Sequence, residues 1–222
     1  MDKIFFTFTN IDDGNLAFHV PDTKDNVDKN RKNLLKKYNL ENKKLISMNQ
    51  VHGDNIKIVD SSSPNIIDNC DGIITNDKDV VLMVMVADCI PIIFIDRKKG
   101  VIAAVHAGRN STFLKISELT AKKMVNEFNC NYTDIEVHMG PSIQKCCYEV
   151  SDEMVTIVEK SFGKGFVNGR FIDLQGINLS LLKSLNISNI TISNTCTKCS
   201  NEPYFSYRAD NKCGRFAGIV TK

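Results

Sequence analysis

The chain has 222 residues, 42% hydrophobic and 24% charged, which suffices for one sizeable core. Its formal charge of +2 comes without a dense basic tract, so nucleic-acid binding has no electrostatic support. No apolar stretch reaches ~18 residues, and MDKIFFTFTN lacks the apolar length and cleavage site of a signal peptide. A cytoplasmic protein with no membrane partner is expected.

Residues 3–9 alternate enough for an edge strand, and 10–25 are polar loop. The spacing of Val27, Leu34, Leu35 and Tyr38 predicts a helix over 27–38, with Asn39 as its C-terminal cap. Short strands are expected at 45–48, 55–59 and 73–75, with turns at 61–65 and 76–79. Residues 80–108 hold the longest apolar run: strands at 80–87, 90–95 and 101–105, interrupted by Asp88-Cys89 and ended by His106-Ala107-Gly108. Ser111 is expected to cap a helix reaching residue 128, with Phe113, Ile116, Leu119, Thr120, Met124 and Phe128 buried. A strand follows at 135–139, then a helix capped by Ser151, a glycine-punctuated loop at 163–169 and a helix capped by Asp173. Strands at 189–193 and 216–220 bracket a long loop. Strands and helices joined by both hairpin-length and crossover-length connections favour α+β or α/β architecture with mixed sheets.

The chain has four histidines: His19, His52, His106 and His138. His52 sits in a turn after a strand, His106 ends a buried strand, and Cys89 follows a polar break. Each alone suits a structural role. All three at strand ends can converge on one pocket, where two imidazoles and a thiolate suit Zn²⁺ and leave a fourth position open, as catalytic zinc requires. Asp88 is placed to orient a ligand imidazole, with a strand-end hydrogen bond as the alternative. The same donors also bind copper, but four histidines with no His-x-His pair cannot build a multicopper cluster. Without a secretory signal the eight cysteines read as reduced thiols, a few of them ligands.

Several motifs recur in order: Asn49-Gln50-Val51-His52-Gly53, Asp71-Gly72-Ile73-Ile74-Thr75, Ala87-Asp88-Cys89-Ile90-Pro91 and His106-Ala107-Gly108. Gly140-Pro141-Ser142-Ile143, Cys146-Cys147-Tyr148-Glu149-Val150, Cys196-Thr197, Phe205-Ser206-Tyr207-Arg208 and Gly214-Arg215-Phe216-Ala217-Gly218 follow. With this linked set the chain resembles, over nearly its whole length, the laccase-domain family, once called polyphenol oxidases and now regarded as zinc-dependent purine nucleoside phosphorylases. The resemblance implies one domain over residues 1–222, an α/β/β/α sandwich, and His52, Cys89 and His106 as catalytic zinc ligands. It also implies phosphorolysis of adenosine, inosine, guanosine and methylthioadenosine, and deamination of adenosine. Purine nucleosides and phosphate would be its partners. The chain departs from the family where His-Ala-Gly usually continues Trp-Arg-Gly: here it continues Arg109-Asn110-Ser111. Its N-terminal segment is also short, although Asn30-Arg31 matches the family's Asn-Arg pair.

In that chemistry, zinc lowers the pKa of bound water to about 7. Cationic side chains would hold phosphate, with Arg31 and Arg208 as candidates and Arg109 a weaker one; solvated surface charge is the alternative for each. Gln50 and Asn49 adjoin His52 and could orient substrate, or cap a turn. Tyr207 or Phe205 could stack on a base, or pack in the core. Glu149 could shuttle a proton or close a strand-end salt bridge. Cys196-x-x-Cys199 has the spacing of half a zinc site, but no second His/Cys pair of ligand spacing accompanies it, which argues against a structural zinc. Packing is the usual fate of thiols such as Cys146 and Cys147. Two other readings compete: a metal-free cysteine hydrolase with Cys89 as nucleophile and His106 as base, and an accessory peptidoglycan-editing protein.

Overall fold

The computed structural model describes residues 3–222. In chain order it has β1 (Phe5–Phe8), α1 (Lys24–Lys37), β2 (Lys44–Met48), β3 (Ile56–Ile58), β4 (Ile66–Ile67), β5 (Gly72–Thr75) and β6 (Val80–Val86). Then come β7 (Ile90–Asp96), β8 (Val101–Ala107), α2 (Arg109–Phe113), α3 (Ile116–Phe128), β9 (Ile135–Met139) and α4 (Asp152–Ser161). The chain closes with β10 (Val167–Asn168), β11 (Phe171–Ile172), α5 (Leu174–Ser184), β12 (Ile190–Ile192) and β13 (Phe216–Thr221).

Two mixed sheets face each other. One runs β1-β13-β6-β2-β4 and the other β12-β9-β7-β8-β5-β3. The layering follows from strands that are apolar on both sides. Along β6, Val80, Leu82, Val84 and Val86 enter the core between the sheets, where they join Ile93, Ile95, Ile102, Ala104 and Phe216. The alternate residues Val81, Met83 and Met85 face outward against Leu34 of α1, with Leu16 and Leu40. On the other sheet Ile92, Phe94, Ala103 and Val105 turn to the opposite face, under Ile116 and Met124 of α3 and Ile177 and Leu182 of α5. The result is the expected α/β/β/α sandwich. Among the described residues, no helix is long and apolar enough to cross a membrane.

Local chemistry explains most boundaries. Thr23, Ser151 and Asp173 cap α1, α4 and α5 through side-chain oxygens that accept from the N–H groups of Asn26, Met154 and Gly176. Helix α1 therefore begins a turn before its apolar stripe does. Past its end Asn39 takes the expected left-handed conformation, with φ 57°. The segment after Gly108 differs from the expected single helix. Gly108, not Ser111, is the N-cap, and Lys115 at φ 62° breaks the run into α2 and α3. Ser111 lies buried inside α2, its hydroxyl without a partner. The two-residue strands β4, β10 and β11 are too short to carry a periodicity, and β10 falls within the segment expected as loop at 163–169.

Candidate active site

The site lies where the two sheets meet at one end. The antiparallel register of β7 and β8 sets Ile90 opposite Ala107 and Pro91 opposite His106. Cys89, immediately before β7, is thereby placed beside the end of β8. His106 continues the Ile102 and Ala104 face, so its ring points between the sheets. His52 arrives from the other sheet, four residues beyond the end of β2, in a left-handed conformation (φ 60°). The ligand-capable atoms of His52, Cys89 and His106 all lie within 4.8 Å of one another. Cys89 Sγ is 4.0 Å from His52 Nε2, and the two imidazoles meet edge to face with centroids 4.7 Å apart. Gly108 closes the group from below. A Cβ there would stand 2.9 Å from His52 Cδ2 and 3.1 Å from Cys89 Sγ.

Asp71 organises this arrangement, a role sequence reasoning missed. The residue is fully buried just before β5. Its Oδ1 accepts from His106 Nδ1 at 2.8 Å and from the His52 backbone N–H at 2.9 Å. Its Oδ2 accepts from Gly53 N–H at 2.7 Å and Val51 N–H at 3.3 Å. One carboxylate thus holds the His52 turn through three successive N–H groups and fixes one ring by its Nδ1, leaving Nε2 for the cluster. The Asp71-Gly72 motif was the available signal, but the partner lies thirty-five residues away in the chain. Asp88 does not orient an imidazole. At φ 90°, its carboxylate accepts from the Thr197 hydroxyl at 2.6 Å and the Arg208 backbone N–H at 2.7 Å. It ties the 195–208 loop to the floor of the site.

The charges are coupled. Burial alone would push the Cys89 thiol up. The charge of His106, with hydrogen bonds from His106 and His52, outweighs that and draws it down to about 6. Burial likewise opposes the His106 imidazolium, but Cys89 and Asp71 raise it to about 9. The two imidazoles thus favour the thiolate form of Cys89. Alkylation of Cys89 by iodoacetamide in chelator-treated protein is expected to reach half its maximal rate near pH 6. In His106→Asn the midpoint should move up toward that of an ordinary thiol; an unmoved midpoint would contradict the assigned coupling.

A cleft of about 310 Å³ opens over the cluster, at the small end of the ~300–1,000 Å³ typical of ligand sites. His19, Gln50, Met85, Tyr148, Tyr207, Arg208 and Arg215 line it with the triad. Gln50 is held rigidly, its Nε2 donating to Met85 O at 2.8 Å and its Oε1 accepting from Met85 N–H at 2.9 Å. Arg208 lies 5.0 Å over the Tyr148 ring and donates to Glu149 O at 3.1 Å. Arg31 does not line this cleft. It lines an adjoining groove that shares His19 and Met85, and donates from Nε to Leu16 O at 2.9 Å. Burial brings its pKa down to about 10. His19, which sequence reasoning left unassigned, is kept below the ordinary histidine value by burial and then by Arg215 and Arg31. Tyr207 is exposed in the cleft, whereas Phe205 packs toward the inter-sheet core. Glu149 pairs with Arg170 at 3.3 Å, the strand-end salt bridge. Neither Glu149 nor Arg109 lines the cleft.

Residues 7–222 match the model of the family described as multi-copper polyphenol oxidoreductase laccase, and the chain belongs to that family. Within it, the chain is 33% identical over 228 residues to a purine nucleoside phosphorylase of Clostridium acetobutylicum, spanning 100% of this chain and 93% of that relative. A purine nucleoside phosphorylase of Mycobacterium tuberculosis is 31% identical over 210 residues, 93% of this chain and 83% of the relative. The solved structure of Bacillus licheniformis hypothetical protein YfiH superposes with a TM-score of 0.91 at 24% identity, over 98% of this chain and 92% of that one. YlmD from Geobacillus stearothermophilus gives 0.84 at 26% identity, over 94% and 84%.

Proposed function

We propose that residues 1–222 form one cytoplasmic catalytic domain, a zinc-dependent purine nucleoside phosphorylase. Its substrates would be adenosine, inosine, guanosine and methylthioadenosine, with adenosine deamination as a second activity. The observation that carries this reading is the convergence of His52, Cys89 and His106 at one cleft, in a chain whose relatives bear that enzyme's name. The donor set fits the metal. Tetrahedral zinc with ~2.3 Å bonds to sulfur and ~2.0 Å bonds to nitrogen needs S···N edges of about 3.6 Å, a small closure from the 4.0 Å seen between Cys89 and His52. Asp71 supplies the outer hydrogen bond such a site uses. Among the described residues the two clusters of His, Cys and acidic ligands contain only two histidines, which does not support the multicopper chemistry in the family's description.

When bound, zinc would supply a Lewis acid at the cleft floor, able to polarise a substrate oxygen or activate water. In phosphorolysis a phosphate oxygen bonds to the anomeric carbon as the C1′–N9 bond breaks. The electron pair stays on the purine, which takes up one proton. Arg208 stands in the cleft with its guanidinium near Tyr148, suited to an anionic oxygen, and Arg31 adds positive potential from behind His19. Tyr148 and Tyr207 give apolar faces for a base, and the rigid Gln50 shapes the wall beside His52. His19 offers a ring nitrogen for a hydrogen bond to a bound nucleoside.

The deciding experiment incubates zinc-loaded protein with adenosine, with and without phosphate, and separates products by chromatography. Adenine that requires phosphate, and that Cys89→Ala abolishes, is the expected result. Inosine alone would make deamination the principal reaction. No product from adenosine, inosine or methylthioadenosine would overturn the reading. Dependence on His52 and loss of activity with chelator separate this enzyme from a metal-free cysteine hydrolase.

A further inference from the structure

A second thiol cluster lies on a loop pair beside the cleft. Cys146 and Cys147 belong to the turn after β9, and Cys196 and Cys199 to the loop after β12. No disulfide joins them. The parallel pairing of β9 with β12 and the bridge between Ser142 and Cys196 bring the two pairs together across about fifty residues of chain. All four sulfurs lie within 4.8 Å of one another. Cys146 Sγ is 3.7 Å from Cys147 Sγ and 3.6 Å from Cys199 Sγ. A regular ZnS₄ tetrahedron with ~2.3 Å bonds has S···S edges of about 3.8 Å. The sequence expectation that Cys196-x-x-Cys199 lacks a partner pair is therefore overturned: Cys146-Cys147 is the partner pair, and adjacency in sequence disguised it.

Four sulfurs at these spacings, drawn from two chain segments and free of any disulfide, form a compact set of soft donors of the kind that suits Zn²⁺.

We propose that Cys146, Cys147, Cys196 and Cys199 form a structural tetrathiolate site for Zn²⁺, separate from the His52–Cys89–His106 cluster. Four sulfur ligands leave no open position, so the site is not a second catalytic centre. Its effect is to clamp two loops that shape the cleft. Thr197, between the ligands of the CxxC turn, donates to Asp88 at 2.6 Å, and Tyr148, next to Cys147, lines the cleft wall.

The test uses full-length Cys89→Ala protein, which lacks the sulfur of the first cluster, prepared reduced and titrated with Co²⁺. The expected result is one equivalent bound, with intense near-ultraviolet sulfur-to-cobalt charge-transfer bands and tetrahedral ligand-field bands in the visible. Zn²⁺ should displace it, and Cys89→Ala/Cys199→Ser should weaken binding at least tenfold. In the same Cys89→Ala protein, stoichiometric Zn²⁺ should protect the peptides carrying residues 146–147 and 196–199 from alkylation, a readout independent of whether the second variant folds. Absence of charge-transfer bands, unprotected thiols, or a Cys146–Cys199 disulfide in metal-free protein purified without air would each overturn the proposal.

Discussion

With His106 in the proposed role of zinc ligand, Asp71→Asn is expected to lower kcat/KM for nucleoside cleavage about 10–100-fold, the usual cost of losing an outer carboxylate behind a ligand histidine. The substitution keeps the shape but turns an acceptor of four hydrogen bonds into a group with one oxygen and one NH₂, so donors face donors at either the His106 ring or the Val51–Gly53 turn. Asp71→Ala is the harsher change. It leaves buried donors and His106 without their counter-charge and should destabilise the protein by about 3–5 kcal/mol. The sign with pH is fixed. Burial opposes ionisation of Asp71, but the hydrogen bond from His106 and those from the turn outweigh it and hold its carboxyl below the usual value. Its stabilisation is thus present above the unfolded carboxyl value and lost as pH falls through the lowered folded one. Urea titrations of wild type and Asp71→Asn at pH 7 and at acid pH should therefore converge as pH drops. Equal activity in the two proteins would remove Asp71 from the role given to it.

Gly108→Ala should separate activity from folding. Gly108 has φ −73° and ψ −178°, a backbone that alanine adopts without strain. Its added methyl instead strikes His52 Cδ2 and Cys89 Sγ, at 2.9 and 3.1 Å. His52 sits on an exposed turn and will yield first, spreading the cluster. Misplacement of about 1 Å at a reacting centre costs on the order of 10²-fold in rate. The expected outcome is a loss of that size in kcat/KM with a thermal midpoint close to wild type. Gly165→Ala, where a methyl meets nothing within 4 Å, is the matched control. Full activity in Gly108→Ala would show that the three groups need not close together.

Both residues bear on how much of the molecule could be read from its sequence. His52, Cys89 and His106 were visible because each sits near a strand end beside a turn glycine or a polar break. The core strands were visible as unbroken apolar runs: β6, β7 and β8 are buried along their whole length. Asp71 was not visible as the organiser, because only the β5–β8 register brings it to His106. The break at Lys115 left no mark either, since a lysine gives no warning of positive φ. The four-thiol cluster was hidden similarly: its two halves are joined by a parallel strand pair and not by any local spacing.

The origin of the three cluster residues has a thermodynamic consequence. His52 hangs from the five-stranded sheet, His106 from the six-stranded sheet, and Cys89 from the crossover between them. Whatever engages all three can bind only a molecule whose sheets are already closed on each other. Occupancy and closure are then a single linked equilibrium, and a ligand at a hundredfold excess over its Kd adds about 2.7 kcal/mol to the folded state. The cluster acts as a clasp on the sandwich, so the grip between the layers depends on what the cleft holds.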